Sequence, residues 1–378
     1  MQEEHLSDKS DVIIVGGGVI GCSIAYYLAK AGIKSLVIER GTLGGEASQA
    51  AAGMLAPLSH AQGPSPFLDL CLAGLHSFRG LDQELRDASG VDIEYVAHGI
   101  IRVAFTEEEK SQFKTLLEWQ SESELEVRWL DPEGLRALEP SLSPSIIGGI
   151  HSPQEHQVRS IRLVQAFAQG AANLGGTFKE RTAVTGILNE DHKIRGVSTY
   201  EGEIRADKVI LASGPWTSQY EDLLGIKLAM FPVRGQTVLL HKIPSPIKHS
   251  VTSSKGYIVP KVDGTIVVGA TVERAGFDNR LTAAGIAAIT EIGSSLAPEL
   301  ADADFVGGMV GLRPGTSDGM PMLGSVPGWE GLYIASGHLR DGILLSAITG
   351  QLMAELITTG YTSVNIAPFN PVRFAQTG

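Results

Sequence analysis

Residues 11–40 read DVIIVGGGVIGCSIAYYLAKAGIKSLVIER, and three local signals follow one another inside that stretch. After Asp11, Val12-Ile13-Ile14-Val15 is a continuous β-branched run, as expected of a strand buried on both faces. The triplet Gly16-Gly17-Gly18 breaks it. Beyond the triplet, Ile20, Ile24, Tyr27 and Leu28 fall at i, i+4, i+7 and i+8, which places them on one buried helical face, and Ala31-Gly32 supplies the stop. Ser35-Leu36-Val37-Ile38-Glu39 is then a second strand. Two parallel strands joined by a helix within about thirty residues make a right-handed βαβ unit. The fold opens with nucleotide-binding architecture.

The glycines give that unit its chemistry. Gly16, Gly18 and Gly21 satisfy G-x-G-x-x-G after a strand and at the start of a helix, the context in which the pattern has meaning. Gly16 permits the tight turn, Gly18 lets a pyrophosphate approach the backbone, and Gly21 lets helix and strand pack closely. Free N–H groups at the helix start face the phosphates. Glu39 ends the second strand, placed to accept hydrogen bonds from a ribose diol. The plainer alternative is a glycine-rich packing turn with no ligand. Between FAD and NAD the motif is neutral. The small-residue segment GTLGGEASQAAAGMLAP, Gly41 to Pro57, leaves room for an extended cofactor, which favours FAD. A second clue is ASGHLRDGILLSAITG, Ala335 to Gly350, where a strand ends in a glycine turn. A helix is expected from near Gly342, with Leu345, Ile348 and Leu352 inward and its positive end toward a flavin ring.

Composition narrows the class. The chain has 378 residues, 43% of them hydrophobic, enough for two or three globular units on a prior of about 150 residues each. Forty-two acidic residues against 30 basic ones leave a net charge of −12, and no Lys/Arg-rich run offers a phosphate-backbone surface, so no nucleic-acid partner is expected. Two cysteines, Cys22 and Cys71, lack metal-ligand spacing and fit a reducing cytoplasm. The 45 glycines, without a collagen period, mark many tight turns. Val12 to Ala29 is uncharged over the length of a membrane span, but Gly16-Gly17-Gly18 interrupts it, and the opening MQEEHLSDKS lacks a basic n-region. Neither signal peptide nor membrane anchor is expected.

Further strands of the same sheet are expected at KVILAS, Lys208 to Ser213, and LYIAS, Leu332 to Ser336. Stretches with alternation, namely Gly99 to Phe105, Arg234 to Leu240, Gly256 to Pro260, Thr265 to Gly269 and Phe305 to Leu312, predict a mostly antiparallel second sheet. Asp263-Gly264 between two apolar runs signals a hairpin whose turn positions both take positive φ.

The assembled motifs resemble the glycine oxidases of the thiamine-biosynthesis type, in the D-amino-acid oxidase and sarcosine oxidase superfamily. The resemblance covers nearly the whole chain. It rests on DVIIVGGGVIGCSIAYYLAKAG, SQAAAGMLAP, QVRS, ASGPW, PVRGQ, YIVP with VVGAT, GLRPGTSDGMPMLG and GHLRDGILLSAITG. It implies α/β plus α+β architecture, a Rossmann-like FAD-binding domain interleaved with a mostly antiparallel-sheet substrate domain. The FAD-binding domain is expected at 1–90, 151–222 and 312–378, and the substrate domain at 91–150 and 223–311. The implied reaction is oxidative deamination of glycine, sarcosine or small D-amino acids by O2 to 2-oxo acid, ammonia or amine, and peroxide. A homotetramer follows from the same resemblance.

Residue roles follow position by position. The resemblance gives Arg313 in GLRPG the substrate carboxylate, Tyr257 in GYIVP a hydroxyl on that carboxylate, and Arg340 in GHLRDG a place at the flavin edge. A planar guanidinium suits a carboxylate better than an ammonium does. Val19, Ile20, Glu39, Arg40, Ala47, Ser48, Ala52, Gly53, Met54 and Val184 should line the dinucleotide, and His338, Leu339, Arg340, Asp341, Gly342, Ile343 and Leu344 should meet the ring. SDGMPMLG has no cysteine where some sarcosine oxidase relatives attach the flavin, so noncovalent FAD is expected.

Structural alternatives stand beside these roles: Arg313 capping a strand or in a salt bridge, Tyr257 in core packing, Cys22 as a small buried hydrophobe. His151 and His156 lack regular metal spacing, and no metal is expected. Lys255 stands where the resembling family commonly has histidine and Val272 where it has methionine, which leaves substrate preference open. Two rival functions remain: a flavin dehydrogenase passing electrons to a quinone or carrier, and a non-catalytic flavin-fold binding module.

Overall fold

The leading unit forms as β1 (Val12–Val15), α1 (Val19–Lys30) and β2 (Ser35–Ile38) in the computed structural model, which describes residues 10–375. The polar opening, residues 1–9, lies outside the described residues. β1 pairs in parallel with β2 on one side and with Lys208–Leu211 on the other. It sits inside a six-stranded sheet ordered Met322–Ser325, Leu332–Ser336, Lys208–Leu211, β1, β2, Thr177–Lys179, of which only the first strand is antiparallel to its neighbour. Strand periodicity of two then divides the run between two cores: Val12 and Ile14 enter the one beneath the helices, Ile13 and Val15 the one on the opposite face. Each such side chain contributes about 1.5–3 kcal/mol by leaving water, so an unbroken β-branched run is what this position requires.

The opposite face is covered by a layer that the sequence reading did not contain. Val184–Glu190, Lys193–Thr199 and Gly202–Arg205 form a three-stranded antiparallel sheet, and Ile187, Ile194 and Val197 pack onto Ile13 and Val15. Its first hairpin turns through Asp191 and His192, at φ 49° and 62°, with no glycine to announce it.

α1 departs from the one-faced expectation. It is wedged between the helices Ser160–Asn173 and Ser346–Thr359, so Cys22, Ala25 and Tyr26 are buried as fully as Ile24 and Leu28. Ile20 is half-buried because it lines a cavity. The close approach of the last helix depends on Gly350, whose Cβ would stand 2.2 Å from Ser23 Oγ, and Ser23 Oγ donates to the Ser346 carbonyl at 2.8 Å. That helix begins at Ser346, four residues after the expected Gly342. Residues 342–345 form a preceding turn in which Leu345 N–H already reaches Asp341 O at 2.8 Å.

The second sheet has eight strands, ordered Asp304–Thr316, Met230–His241, Thr265–Gly269, Tyr257–Pro260, Ser250–Thr252, Ile100–Ala104, Gly148–Ser152, Arg128–Leu130. All pairs are antiparallel except Ser250–Thr252 with Ile100–Ala104. The helix Ala283–Leu296 buries Ile289 and Leu296 against Val238, Leu240 and Val268 on one face. The hairpin at Asp263-Gly264 is present with a different turn. Gly264 alone takes positive φ, 85°, and its N–H bonds Lys261 O at 3.1 Å, so the loop is longer than the two-residue form. Two expected domain borders, after residues 150 and 311, fall inside the strands Gly148–Ser152 and Asp304–Thr316. Among the described residues no helix is long and apolar enough to cross a membrane.

Candidate active site

A cavity of about 560 Å³ opens at the carboxyl ends of the parallel strands, where Val15, Ile38, Ala212 and Ser336 meet residues of the eight-stranded sheet. Open α/β sheets bind ligands at this edge. The three motif glycines differ in what holds them. A Cβ at Gly16 would stand 2.5 Å from Ala212 O, and one at Gly21 would stand 1.9 Å from Gly16 O, so both are demanded by the protein's own packing. At Gly18 a Cβ would meet only Ser48 Oγ, at 3.5 Å. What Gly18 keeps clear is the space before α1, whose first turn has no acidic residue and no cap from its own N-cap side chain. Ser48 Oγ accepts from Val19 N–H at 3.0 Å. Such a helix start is a ready anion site, and this cradle fits the pyrophosphate of a dinucleotide.

Glu39 is buried beside it, Oε2 accepting from Gly17 N–H and Oε1 from Gly41 N–H, both at 2.7 Å. Each oxygen keeps a further lone pair for a diol. Arg40 pairs with Glu46 at 2.7 Å and lies over the Trp216 ring, 3.6 Å from its centroid. Ala47, Ser48, Ala52, Gly53, Met54 and Val184 complete this end with Val19 and Ile20.

At the middle of the cavity, the turn after Leu332–Ser336 contributes His338, Leu339, Arg340, Gly342 and Ile343. His338 is buried with Nε2 3.1 Å from Thr349 Oγ1, and burial lowers its pKa to about 3, leaving the ring neutral. Burial raises Asp341 to about 7 against the pull of Arg340. Three expected residues do not line the cavity. Gly21 serves helix packing, Leu344 is buried in the helical core, and the Asp341 carbonyl takes the Leu345 N–H instead.

Arg313 and Tyr257 meet at the far end. Arg313 stands on Asp304–Thr316 opposite Val233, and Tyr257 begins the strand Tyr257–Pro260 opposite Gly269. The guanidinium lies close enough to act on the Tyr257 hydroxyl electrostatically, and Arg313 Nη1 donates to Thr271 O at 3.1 Å. Two glycines make the meeting possible: a Cβ at Gly235 would fall 2.2 Å from both terminal nitrogens of Arg313, and one at Gly269 would fall 2.6 Å from the Tyr257 hydroxyl. Burial raises the Tyr257 pKa, with Arg313 opposing, so the hydroxyl stays protonated at neutral pH. Arg313 makes no carboxylate ion pair among the described residues, which removes the salt-bridge alternative there. Arg340 and Lys255 are exposed side chains of the same cavity, and Val272 lines it at 59% exposure.

The sequence reading missed several lining residues. Ser59 and His60 follow the small-residue segment, Trp216 lies in the quoted ASGPW, and Gly235 lies in the quoted PVRGQ, where neighbouring motifs could have flagged them. Outside the cavity, Cys22 is a buried thiol pushed well above its ordinary pKa by burial. His151 accepts from Arg128 and His156 packs on Tyr95. Among the described residues no group of three or more His, Cys, Asp or Glu is arranged to hold a metal.

Comparisons with known proteins agree with this geometry. A family model described as DAO, FAD dependent oxidoreductase, matches residues 11–356. The chain is 36% identical over 372 residues to a glycine oxidase of Geobacillus kaustophilus, covering 97% of this chain and 98% of that protein. It is 34% identical to the bifunctional protein ThiO/ThiG of Synechocystis sp., covering 98% of this chain and 55% of the larger protein. The crystal structure of glycine oxidase from Geobacillus kaustophilus superposes with a TM-score of 0.94 at 35% identity, covering 97% of this chain and 99% of that one.

Proposed function

The chain belongs to the DAO family of FAD-dependent oxidoreductases, and from that premise we propose that it is a glycine oxidase. It converts glycine, sarcosine and small D-amino acids with O2 to the 2-oxo acid, ammonia or amine, and H2O2, with glyoxylate formed from glycine. The observation that carries the reading is the Arg313–Tyr257 pair: a guanidinium without a carboxylate partner among the described residues, held next to a neutral hydroxyl in the cavity that also contains the dinucleotide cradle.

The residues divide the work. Arg313 binds the substrate carboxylate through paired N–H donors, Tyr257 donates its hydroxyl to the same group, and Arg340 borders the ring. The cradle at Gly16, Gly18, Val19 and Ile20, with Glu39 and Ser48, holds FAD without a covalent bond. When bound, FAD supplies the hydride acceptor for the substrate Cα–H. Fixing the carboxylate at one end fixes where that C–H points, so positioning is this chain's main contribution to rate. The substrate amine loses its own proton to water, since among the described residues no carboxylate lines the cavity near Arg313.

We assign FAD to the part of the chain at 1–90, 151–222 and 312–378, and substrate to 91–150 and 223–311. The reading extends to a cytoplasmic homotetramer, with no nucleic-acid or membrane partner, that supplies the dehydroglycine unit for thiamine thiazole synthesis. Relatedness to a fused ThiO/ThiG protein supports that pathway role. Stoichiometric peroxide and glyoxylate from glycine under air test the oxidase assignment. Turnover that needs an added quinone or dye assigns the dehydrogenase rival instead, and light scattering tests the tetramer.

A further inference from the structure

Two of the quoted motifs, PVRGQ and VVGAT, meet behind the substrate end. Arg234 N–H donates to Glu273 O at 2.9 Å, Glu273 N–H donates to Arg234 O at 3.0 Å, and Thr271 N–H reaches Gln236 O at 3.3 Å, a short antiparallel pairing. Side chains alternate across extended chain of this kind. Gly235 and Val272 therefore face the cavity, with the Arg313 guanidinium lying over Gly235. Arg234, Gln236, Thr271 and Glu273 point the other way, and none of the four lines the cavity.

On that hidden face the four side chains close on one another. Glu273 Oε1 accepts from Thr271 Oγ1 at 2.6 Å and from Gln236 Nε2 at 2.8 Å, and its Oε2 accepts from Arg234 Nε at 3.2 Å and from Arg234 Nη2. Thr271 Oγ1 in turn accepts from Gln236 N–H at 2.9 Å, so the hydroxyl is fixed as donor and as acceptor. The far end of the segment is tied to the same strand: Arg234 Nη1 lies 3.0 Å from Asp278 Oδ2, and Gln236 Oε1 accepts from Thr282 N–H at 2.8 Å. Against the cost of burial, the Arg234, Thr271 and Gln236 hydrogen bonds hold the Glu273 carboxyl at about 2, so it is ionised at neutral pH. Apolar packing does not take over this work at the cavity wall, because Val272 is 59% exposed there.

The carbonyl of Thr271 carries the arrangement through to the cavity, where Arg313 Nη1 donates to it at 3.1 Å. We propose that Glu273 is a positioning residue for the substrate carboxylate: by fixing Thr271 it fixes the carbonyl that aims the Arg313 guanidinium, while touching neither substrate nor cofactor itself. This rests on the oxidase reading, in which Arg313 binds that carboxylate. A guanidinium with one nitrogen tied to a fixed carbonyl presents its remaining N–H donors as a set fork, and less rotational freedom is lost when a carboxylate docks on it. The PVRGQ strand thus serves the site from both faces, Gly235 by giving the guanidinium room and Arg234 and Gln236 by holding Glu273.

The experiment uses the holoenzyme, with acetate titrated against flavin absorbance as a carboxylate without an amine, and glycine kcat/KM measured in parallel. We expect Glu273→Gln to bind acetate about tenfold more weakly and to lower kcat/KM for glycine by a similar factor at unchanged FAD content, the scale of one hydrogen bond to a charged group. Thr271→Val, which deletes the hydroxyl and keeps the carbonyl, should show a smaller loss in the same direction. A double-mutant cycle on kcat/KM separates aiming from plain stabilisation of the fold: in an Arg313→Ala background the Glu273→Gln penalty should vanish, because no guanidinium is left to aim. A penalty that persists undiminished there, or acetate affinity unchanged in both single variants, overturns the proposal. If Glu273→Gln releases FAD, Thr271→Val decides by the same two measurements. Wild-type protein that binds acetate and leaves glycine unoxidised overturns the oxidase reading, and the acetate affinities of the variants then decide this proposal. Wild-type protein that takes neither overturns both.

Discussion

The Arg313 guanidinium and the Tyr257 hydroxyl converge over Gly235 and Gly269, two glycines that keep the sheet face between them bare. The two residues stand on different strands of the eight-stranded sheet, separated by the strands Met230–His241 and Thr265–Gly269. With Cβ atoms at both glycines the two side chains could not occupy these positions. The pair is therefore built by four residues, and its chemistry is testable at each.

Removing the charge at Arg313 should act on substrate and spare the cofactor. A hydrogen bond to a charged group contributes about 1.5–3 kcal/mol, so Arg313→Ala should lower kcat/KM for glycine roughly tenfold to hundredfold. Arg313→Lys should recover only part of the loss, because an ammonium lacks the planar fork. Steady-state kinetics alongside flavin absorbance checks this. Unchanged glycine turnover in the alanine variant removes Arg313 from the site.

A methyl group at Gly235 should displace the guanidinium without unfolding the sheet. The atoms in its way are the terminal nitrogens of a flexible side chain, 2.2 Å off, so the arginine moves and the strand stays. Gly235→Ala should raise KM about tenfold at near-normal Tm and full FAD content, an effect on the scale of one charged hydrogen bond. A large drop in Tm would show that the glycine serves the fold instead.

Gly21 predicts the opposite division. Its added methyl would meet the Gly16 carbonyl at 1.9 Å, backbone against backbone, and α1 would have to shift away from β1. Overpacking of this kind costs about 1–3 kcal/mol, so Gly21→Ala should lose FAD on dialysis and melt several degrees lower. Full retention of FAD at wild-type Tm would contradict the packing role.

Two groups in the turn at 338–341 tilt the pH dependence of stability in opposite directions. Burial raises the Asp341 pKa from 3.8 to about 7, so the folded state binds the extra proton and stability falls as pH rises from about 4 to about 7. Burial lowers the His338 pKa from 6.5 to about 3, so the unfolded state binds the extra proton and stability is lost as pH falls from about 6.5 toward 3. Relative to wild type, Asp341→Asn should gain stability progressively from about pH 4 to about pH 7, and His338→Asn should flatten the acid limb from about pH 6.5 down toward pH 3. Thermal melts across that range decide it, and differences that do not vary with pH would contradict both assignments.

What the sequence made legible was what lies close along the chain. β1, α1 and β2 are specified by Val12 to Ile38 alone, and the role of Gly21 follows from that local geometry, whereas the packing demand on Gly16 comes from Ala212, far along the chain. The sheet at Val184 to Arg205 escaped notice because Asp191 and His192 make its first turn at positive φ without a glycine. Gly235 escaped because its value depends on register with Arg313, 78 residues away. Ser59 and His60 carry no motif, and the chain is held there by the Ser59 N–H on Ala56 O and by the buried Arg102, Gln120 and Glu155 side chains on the Leu58 backbone.

Anaerobic addition of glycine to the purified yellow protein, followed by visible absorbance, tests the central claim most directly. The account predicts that the oxidised flavin bands bleach with glycine, that glyoxylate appears in equal amount, and that air restores the colour with one peroxide per flavin. A bound flavin that stays oxidised at saturating glycine would contradict it.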